Sequence, residues 1–304
     1  MSIRQRVIKG LAVLWTLSLV AVACGGDSAD DGNAQDADDV GLVVPAVGEL
    51  AENQGLNAEG EVVTATEAPA GMFDTPTPTA DAGPVDPWEV RVLTAKSDTY
   101  IVPVFSEPAG ESETLMYEYL DGSKIEYPLV NPTYFGNDLA LLVAEGNPGD
   151  AWAKVYVPVR PNGKTVWVQT AFFDWSSHNY HIEIDVAGPS VRVWEGNNLV
   201  LESEAVAGRQ DRPTPVLRTY IDEKIPSPSE SYGTWIMSLA SYSESINVFS
   251  GGLPKLALHG TNKPELMGDY VSSGCIRVPN DIIDQIAEIV PVGATVDIIN
   301  SGAA

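Results

Sequence analysis

The strongest constraint on this 304-residue chain lies between His259 and Cys275. An apolar run, Leu256 to Leu258, ends on His259 and Gly260. Sixteen residues past the histidine comes Cys275, preceded by Ser272, Ser273 and Gly274 and followed by Ile276 and Arg277. At that separation an imidazole and a thiol cannot share one helix face. They meet only if the chain folds back and sets the end of one strand beside the cysteine. The chemistry gives a reason to look for such a fold. A thiol is a weak nucleophile until it becomes a thiolate, and a free cysteine has a pKa of about 8.5. A neighbouring imidazole lowers that value or takes the proton. The stretch 255–280 thus holds a candidate nucleophile, a candidate base, a flexible glycine and a fixed positive charge.

His-Gly-Thr-Asn at 259–262, then Ser-Ser-Gly-Cys-Ile-Arg at 272–277, resembles the active-site segment of the L,D-transpeptidase catalytic domain of the YkuD type. The resemblance covers roughly residues 179–300. It implies Cys275 as the acyl-accepting nucleophile, His259 as its base, and the Gly260 carbonyl as the group that orients the imidazole. It further implies that Arg277 helps to hold substrate, with Ser272, Ser273 and Gly274 beside it. The frequent form of the motif has a second histidine where this chain has Ser273. That exchange removes one polarising group next to the thiol. Thr214-Pro215 resembles a Thr-Pro-x-Gly step of the same family, with Leu217 in the glycine position.

The start of the chain reads as an export signal. Arg4, Arg6 and Lys9 precede a largely apolar run, Gly10 to Ala23. That run is shorter than the ~20 residues a transmembrane helix needs, and it has the shape of a signal peptide. Ala21-Val22-Ala23 before Cys24 resembles a lipoprotein cleavage site, so residues 1–24 are expected to be a signal of the lipoprotein type with lipid on Cys24. Ordinary cleavage that releases a soluble protein is the other reading. The chain has two cysteines. With Cys24 lipidated or far out on a tether, Cys275 is expected to lack an intramolecular partner. Exported cysteines are usually paired, so an unpaired one invites a reactive role.

Residues 25–87 contain fourteen Asp and Glu and no Lys or Arg. Such a segment cannot bury enough apolar surface to offset its ordering entropy and is expected to be a disordered linker. As a flexible coil it spans roughly 45 Å r.m.s.. It serves either as a tether that lets an anchored domain reach outward or as a plain spacer. The whole chain carries a net charge of −25 with no basic cluster. Nucleic-acid binding needs a positive footprint and is not expected. No second apolar span occurs, so membrane contact is expected through the N-terminal lipid alone.

Residues 88–175 read as short strands between turns. Asp121-Gly122 and Pro161-Asn162-Gly163 mark tight turns. Trp152–Pro158 and Lys164–Gln169 flank the second as a hairpin. The pattern predicts a small barrel, and Trp152 to Thr170 resembles a bacterial SH3-like module. Its Trp and Tyr residues either line a glycan or peptide groove or pack the core of a small domain.

Residues 176–304 are expected to be the catalytic domain. Tyr180, Ile182, Ile184 and Val186 alternate with polar neighbours, as do Val191 to Trp194, and a turn at Gly196-Asn197-Asn198 leads into Leu199 to Leu201. His178 and His181 stand at a strand start and are assigned no chemistry. The Ser- and Pro-rich segment 226–232 reads as a loop over the cleft. Asn280 is placed as a helix cap with Asp281 in the first turn. Ile282, Ile283, Ile286, Ile289 and Val290 follow helical spacing, and Pro291 ends the helix. The expected fold is mainly β with one clear helix: a sandwich-like catalytic domain behind a small barrel and an acidic tether.

The resemblance implies peptidoglycan as substrate, with donor and acceptor stem peptides as partners, outside the cytoplasm and facing the cell wall. Cys275 would attack the L,D bond of a tetrapeptide stem and expel D-alanine. An amine of a second stem would then take the acyl group. A backbone N–H near Gly274 and Cys275 is the candidate oxyanion donor. Water in place of the amine makes the enzyme an L,D-carboxypeptidase. An inactive wall-binding lipoprotein is the reading from another class. No cofactor is expected, and His178, His181, His259 and Cys275 match no usual zinc spacing.

Overall fold

The computed structural model describes residues 54–56, 62–64 and 86–302. Residues 1–24, expected to be a signal of the lipoprotein type with lipid on Cys24, lie outside the described residues, as does most of the segment 25–87 expected to be a linker. Within that linker, where the composition predicts no structure, Gln54–Leu56 pairs antiparallel with Val62–Thr64.

Residues 90–178 build a first module on a seven-stranded, wholly antiparallel sheet. Its order across the sheet is Phe173–His178, Val90–Ala95, Ala140–Glu145, Trp152–Tyr156, Thr165–Gln169, Val104–Phe105 and Ser112–Glu113. The hairpin expected from sequence is there, with Trp152 opposite Gln169 and Tyr156 opposite Thr165. Gly163 closes its turn at φ +78°. Alternation sends Ala153, Val155, Val166 and Val168 into the core. Tyr117 is fully buried there, with the Arg160 guanidinium 5.4 Å from its ring centroid, whereas Trp152, Tyr156 and Trp167 of the hairpin are half-buried. The last strand carries the first sheet on to His178, three residues past the boundary expected at 175.

The second module is an eight-stranded sheet with one α-helix, the only α-helix among the described residues. We label its strands β1 Tyr180–Asp185, β2 Ser190–Glu195, β3 Asn198–Glu204, β4 Leu217–Pro226, β5 Trp235–Tyr242, β6 Lys255–His259, β7 Ile276–Arg277 and β8 Thr295–Ile299. The helix α1 is Asn280–Ile289. The order across the sheet is β3-β2-β1-β8-β4-β5-β6-β7. Two of its ladders, β1 with β8 and β6 with β7, are parallel. The apolar stripe of α1, Ile283 and Ile286, packs with Ile182, Ile184, Leu256, Leu258, Ile276 and Val296 in one core. His181 is sandwiched between Trp88 and Trp194, with ring centroids 5.1 and 6.1 Å away and nearly parallel planes. It therefore belongs to the packing.

The two modules share their interiors. Tyr242 and Leu253 of the second module lie in the core of the first. Val90, Val92, Ala140 and Leu142 of the first pack with Tyr220 and Ala240 of the second. Polar contacts cross as well. The Thr133 hydroxyl and the Asn137 amide both donate to Glu223, at 2.6 and 3.0 Å. Asn162 exchanges two hydrogen bonds with the backbone of Tyr242, at 2.9 and 2.8 Å. Burial and the nearby Asp222 charge push the Glu223 carboxyl above its usual range. Lys255 pairs with Asp222 below it. Burial works against its charge, but the surrounding acidic groups outweigh that and hold the ammonium firmly protonated.

Candidate active site

The site forms where β6 and β7 run side by side. Leu258 stands in register with Ile276, and His259 with Arg277. Parallel neighbours in register share a face, and successive residues alternate. Leu256, Leu258 and Ile276 therefore face the helix-backed core. Ala257, His259, Cys275 and Arg277 fall on the other face. There Cys275 and Ala257 pack with Ile225, Tyr232 and Ile236, and with Phe135 from the first module. The fold back demanded by the sixteen-residue spacing is this parallel crossover.

His259 is fully buried. Its Nδ1 lies 2.6 Å from the Gly260 carbonyl oxygen. A carbonyl only accepts, so Nδ1 carries the proton and Nε2 presents a lone pair. No protein group among the described residues hydrogen-bonds Nε2. Burial, with help from the Arg277 charge, lowers the imidazole pKa to about 3. The ring is thus a neutral acceptor at neutral pH. The edge of Tyr232 packs on it, with ring centroids 5.0 Å apart.

Asn280 fixes the backbone beyond the histidine. It was expected to cap α1, yet Pro279 occupies the cap and Asn280 is the first helical residue. Its side-chain oxygen instead accepts from the Thr261 N–H at 3.0 Å. A Cβ at Gly233 would stand 2.1 Å from that oxygen and 2.5 Å from the Gly260 Cα. Gly233, at φ +67°, is needed so that the 227–233 loop can lie against the histidine turn.

The Cys275 loop is braced from within and from one side. The Ser272 hydroxyl donates to the Cys275 carbonyl at 2.6 Å and accepts from the Gly274 N–H at 3.1 Å. Ser272 is thus engaged within the loop, and the Gly274 N–H, one of the expected oxyanion donors, is bonded to the Ser272 hydroxyl. Gly274 sits at φ +118°, which suits glycine alone. From the side, the Thr214 hydroxyl donates to the Gly274 carbonyl at 2.8 Å and accepts from the Gly208 N–H at 2.9 Å. The Thr-Pro step thus keeps its place despite Leu217, which lies in β4.

One further expectation is corrected. Cys275 is disulfide-bonded in this structure rather than a free thiol, in a chain whose other cysteine, Cys24, lies outside the described residues. Arg277, expected to help hold substrate, is 5% exposed, with its backbone paired to Val206, and its charge lies beside His259. The exposed cations of the site are Arg209 and Arg212, whose Nη1 atoms each lie 3.4 Å from the Ser273 hydroxyl. Neither was singled out from sequence. Two arginines three residues apart in so acidic a chain were the available signal. Among the described residues no group of His, Cys, Asp and Glu is arranged to hold a metal ion.

Residues 179–298 match the family model for YkuD, the L,D-transpeptidase catalytic domain. That match falls within the second module and spans less than half of the chain. The YkuD protein of Bacillus licheniformis, named as an L,D-transpeptidase, is 31% identical over 119 residues, which is 39% of this chain and 65% of the relative. Its Bacillus subtilis counterpart is 29% identical over the same spans. The chain thus covers 65% of the length of these curated relatives. Among solved structures, the catalytic domain of the E. faecium L,D-transpeptidase is 20% identical with a TM-score of 0.30, covering 40% of this chain and 98% of that one. The Mycobacterium smegmatis L,D-transpeptidase is 18% identical with a TM-score of 0.33, covering 52% and 82%. Scores this low add no weight.

Proposed function

We propose that the protein is an exported peptidoglycan L,D-transpeptidase with Cys275 as nucleophile and His259 as base. The observation that carries this reading is the histidine tautomer: Nδ1–H is tied to the Gly260 carbonyl, and a bare Nε2 remains on the strand face that Cys275 shares. A disulfide sulfur is no nucleophile, so an external thiolate first attacks the partner sulfur, forms a new disulfide there and releases Cys275, which takes up a proton as the thiol. His259 Nε2 then takes the thiol proton as sulfur bonds to the carbonyl carbon at the L,D bond of a tetrapeptide stem. The C–N bond breaks, His259 returns the proton to the leaving amine of D-alanine, and a thioester remains. An amine of a second stem attacks the thioester and gives its proton to His259. Sulfur leaves and is reprotonated.

In this reading the first module, which the sequence likens to an SH3-like fold, contributes a wall through Phe135. Export follows from the substrate. A lipid on Cys24 remains a separate proposal.

The test uses full-length protein with a thiol reductant and a carbapenem, read by intact mass. One adduct is expected, and none on Cys275→Ala. Disaccharide-tetrapeptide is then supplied as substrate. Dimers lacking one D-alanine support transfer. Tripeptide monomer alone makes the enzyme a carboxypeptidase. Unchanged substrate beside folded, reduced protein would falsify the catalytic reading.

A further inference from the structure

We propose that Arg209, Arg212 and the Ser273 hydroxyl form a carboxylate-binding subsite beside the nucleophile. The proposal rests on the transpeptidase reading for its substrate class and deepens it. Asp211 sits between the two arginines and engages their inner edges, with Nε of Arg209 at 2.8 Å and Nε of Arg212 at 4.0 Å. Those contacts aim both Nη1 groups at one oxygen, Ser273 Oγ. At 3.4 Å each approach is long for an N–H···O bond, so the donors are underused. A hydroxyl that accepts from two donors still has its own proton to give. An anion arriving here meets two guanidinium edges first, with the buried Ser273 hydroxyl behind them, and guanidinium edges suit a planar carboxylate.

Exposure separates this pair from the third arginine of the site. The side chains of Arg209 and Arg212 are 33% and 36% exposed, whereas Arg277 is 5% exposed. Ser273 lies two residues before Cys275, and Thr214 joins the arginine-bearing segment directly to the Gly274 carbonyl. The subsite is therefore fixed relative to the sulfur by two hydrogen-bonded loops. Counting Asp211, the cluster keeps one net positive charge in a chain whose total is −25. A stem peptide brings the carboxylate of its terminal residue to the region and, where the diamino acid carries one, a side-chain carboxylate as well.

The experiment measures binding and turnover separately. Tetrapeptide stem is titrated calorimetrically against full-length Cys275→Ser and against the same chain with Arg209→Gln and Arg212→Gln. A loss of tenfold or more in affinity is expected for the double variant. Stems with the terminal carboxylate or the side-chain carboxylate turned into a carboxamide name the source, because the amide at the recognised position binds both proteins alike. In the reduced Cys275 background, KM should rise about tenfold with kcat changed less than threefold. Arg209→Lys with Arg212→Lys should fall between, since an ammonium lacks the fork. The rate of alkylation by neutral iodoacetamide should not move. Equal affinity of both proteins for the free-carboxylate stem, or no binding by either, overturns the subsite. Discrimination in binding beside absent turnover keeps the subsite and sinks the reaction.

Discussion

The two sheets of this protein are joined in different ways. The first is antiparallel throughout, and strands such as Trp152–Tyr156 and Thr165–Gln169 meet across a short turn. The second contains two parallel ladders. Parallel neighbours need a crossover of a dozen or more residues, so they bring together side chains far apart in the chain. His259 and Cys275 are such a pair. At this crossover the connection between the two strands carries Ser272, Ser273 and the Thr214-bound Gly274 up to the nucleophile. The first sheet has no such junction, and its polar residues form ion pairs such as Lys154 with Glu145, turns, and the contact with its neighbour.

The largest test of this contrast is His259→Asn, which removes the lone pair at the crossover. Acylation of the reduced enzyme should fall about 10³-fold, within the range for loss of a general base, measured as carbapenem adduct against time. A drop under tenfold would mean that the ladder positions no base.

A smaller effect compares one residue from each region. Asn280→Ala deprives the Thr261 N–H of its acceptor and empties space against Gly233 and Gly260. It should cost about 2 kcal/mol and slow acylation by tenfold or more. Gly163→Ala strains the positive-φ turn of the first sheet and should cost about 1 kcal/mol with acylation unchanged. Urea melts and adduct rates on both variants check this. Equal loss of activity in the two would erase the distinction between crossover and hairpin.

The subtlest effect is in pH. The folded chain binds a proton at His259 with a pKa of about 3, whereas an unfolded histidine binds one near 6.5. Above that value neither state is protonated there, and His259 adds no pH dependence. Below it the unfolded chain takes up the proton first, so stability falls as pH drops from about 6.5 toward 3. Wild type should therefore lose melting temperature faster over that window than His259→Asn. Parallel curves would show that the imidazole is not buried as neutral.

The elements readable from sequence were those with a period. The strand at 180–186, the hairpin at 152–169 and the helix ending before Pro291 announce themselves through alternation or helical spacing, and the helix lies at Asn280–Ile289. Cys275, His259 and Gly260 were legible through a motif, and the His259 Nδ1 contact with Gly260 follows it. What was not legible depends on side chains choosing partners across the fold. Asn280 has cap chemistry, but Pro279 fixes the entry to the helix and the amide turns to Thr261 instead. Ser272 looks like a substrate contact until the tight Gly274 backbone brings its hydroxyl to the Cys275 carbonyl. Arg209 and Arg212 carry no periodic signal, and only the segment held by Thr214 makes them converge.

The embrace of Glu223 by Thr133 and Asn137, together with Tyr242 inside the first core, bears on how such a protein evolves. A cassette that can be exchanged between genes needs a surface it can leave without cost. Here neither half has one. Transplanting residues 176–304 behind a different module would bare a carboxyl, a tyrosine and a leucine that each rely on the original neighbour. Either half moved alone is therefore expected to lose stability.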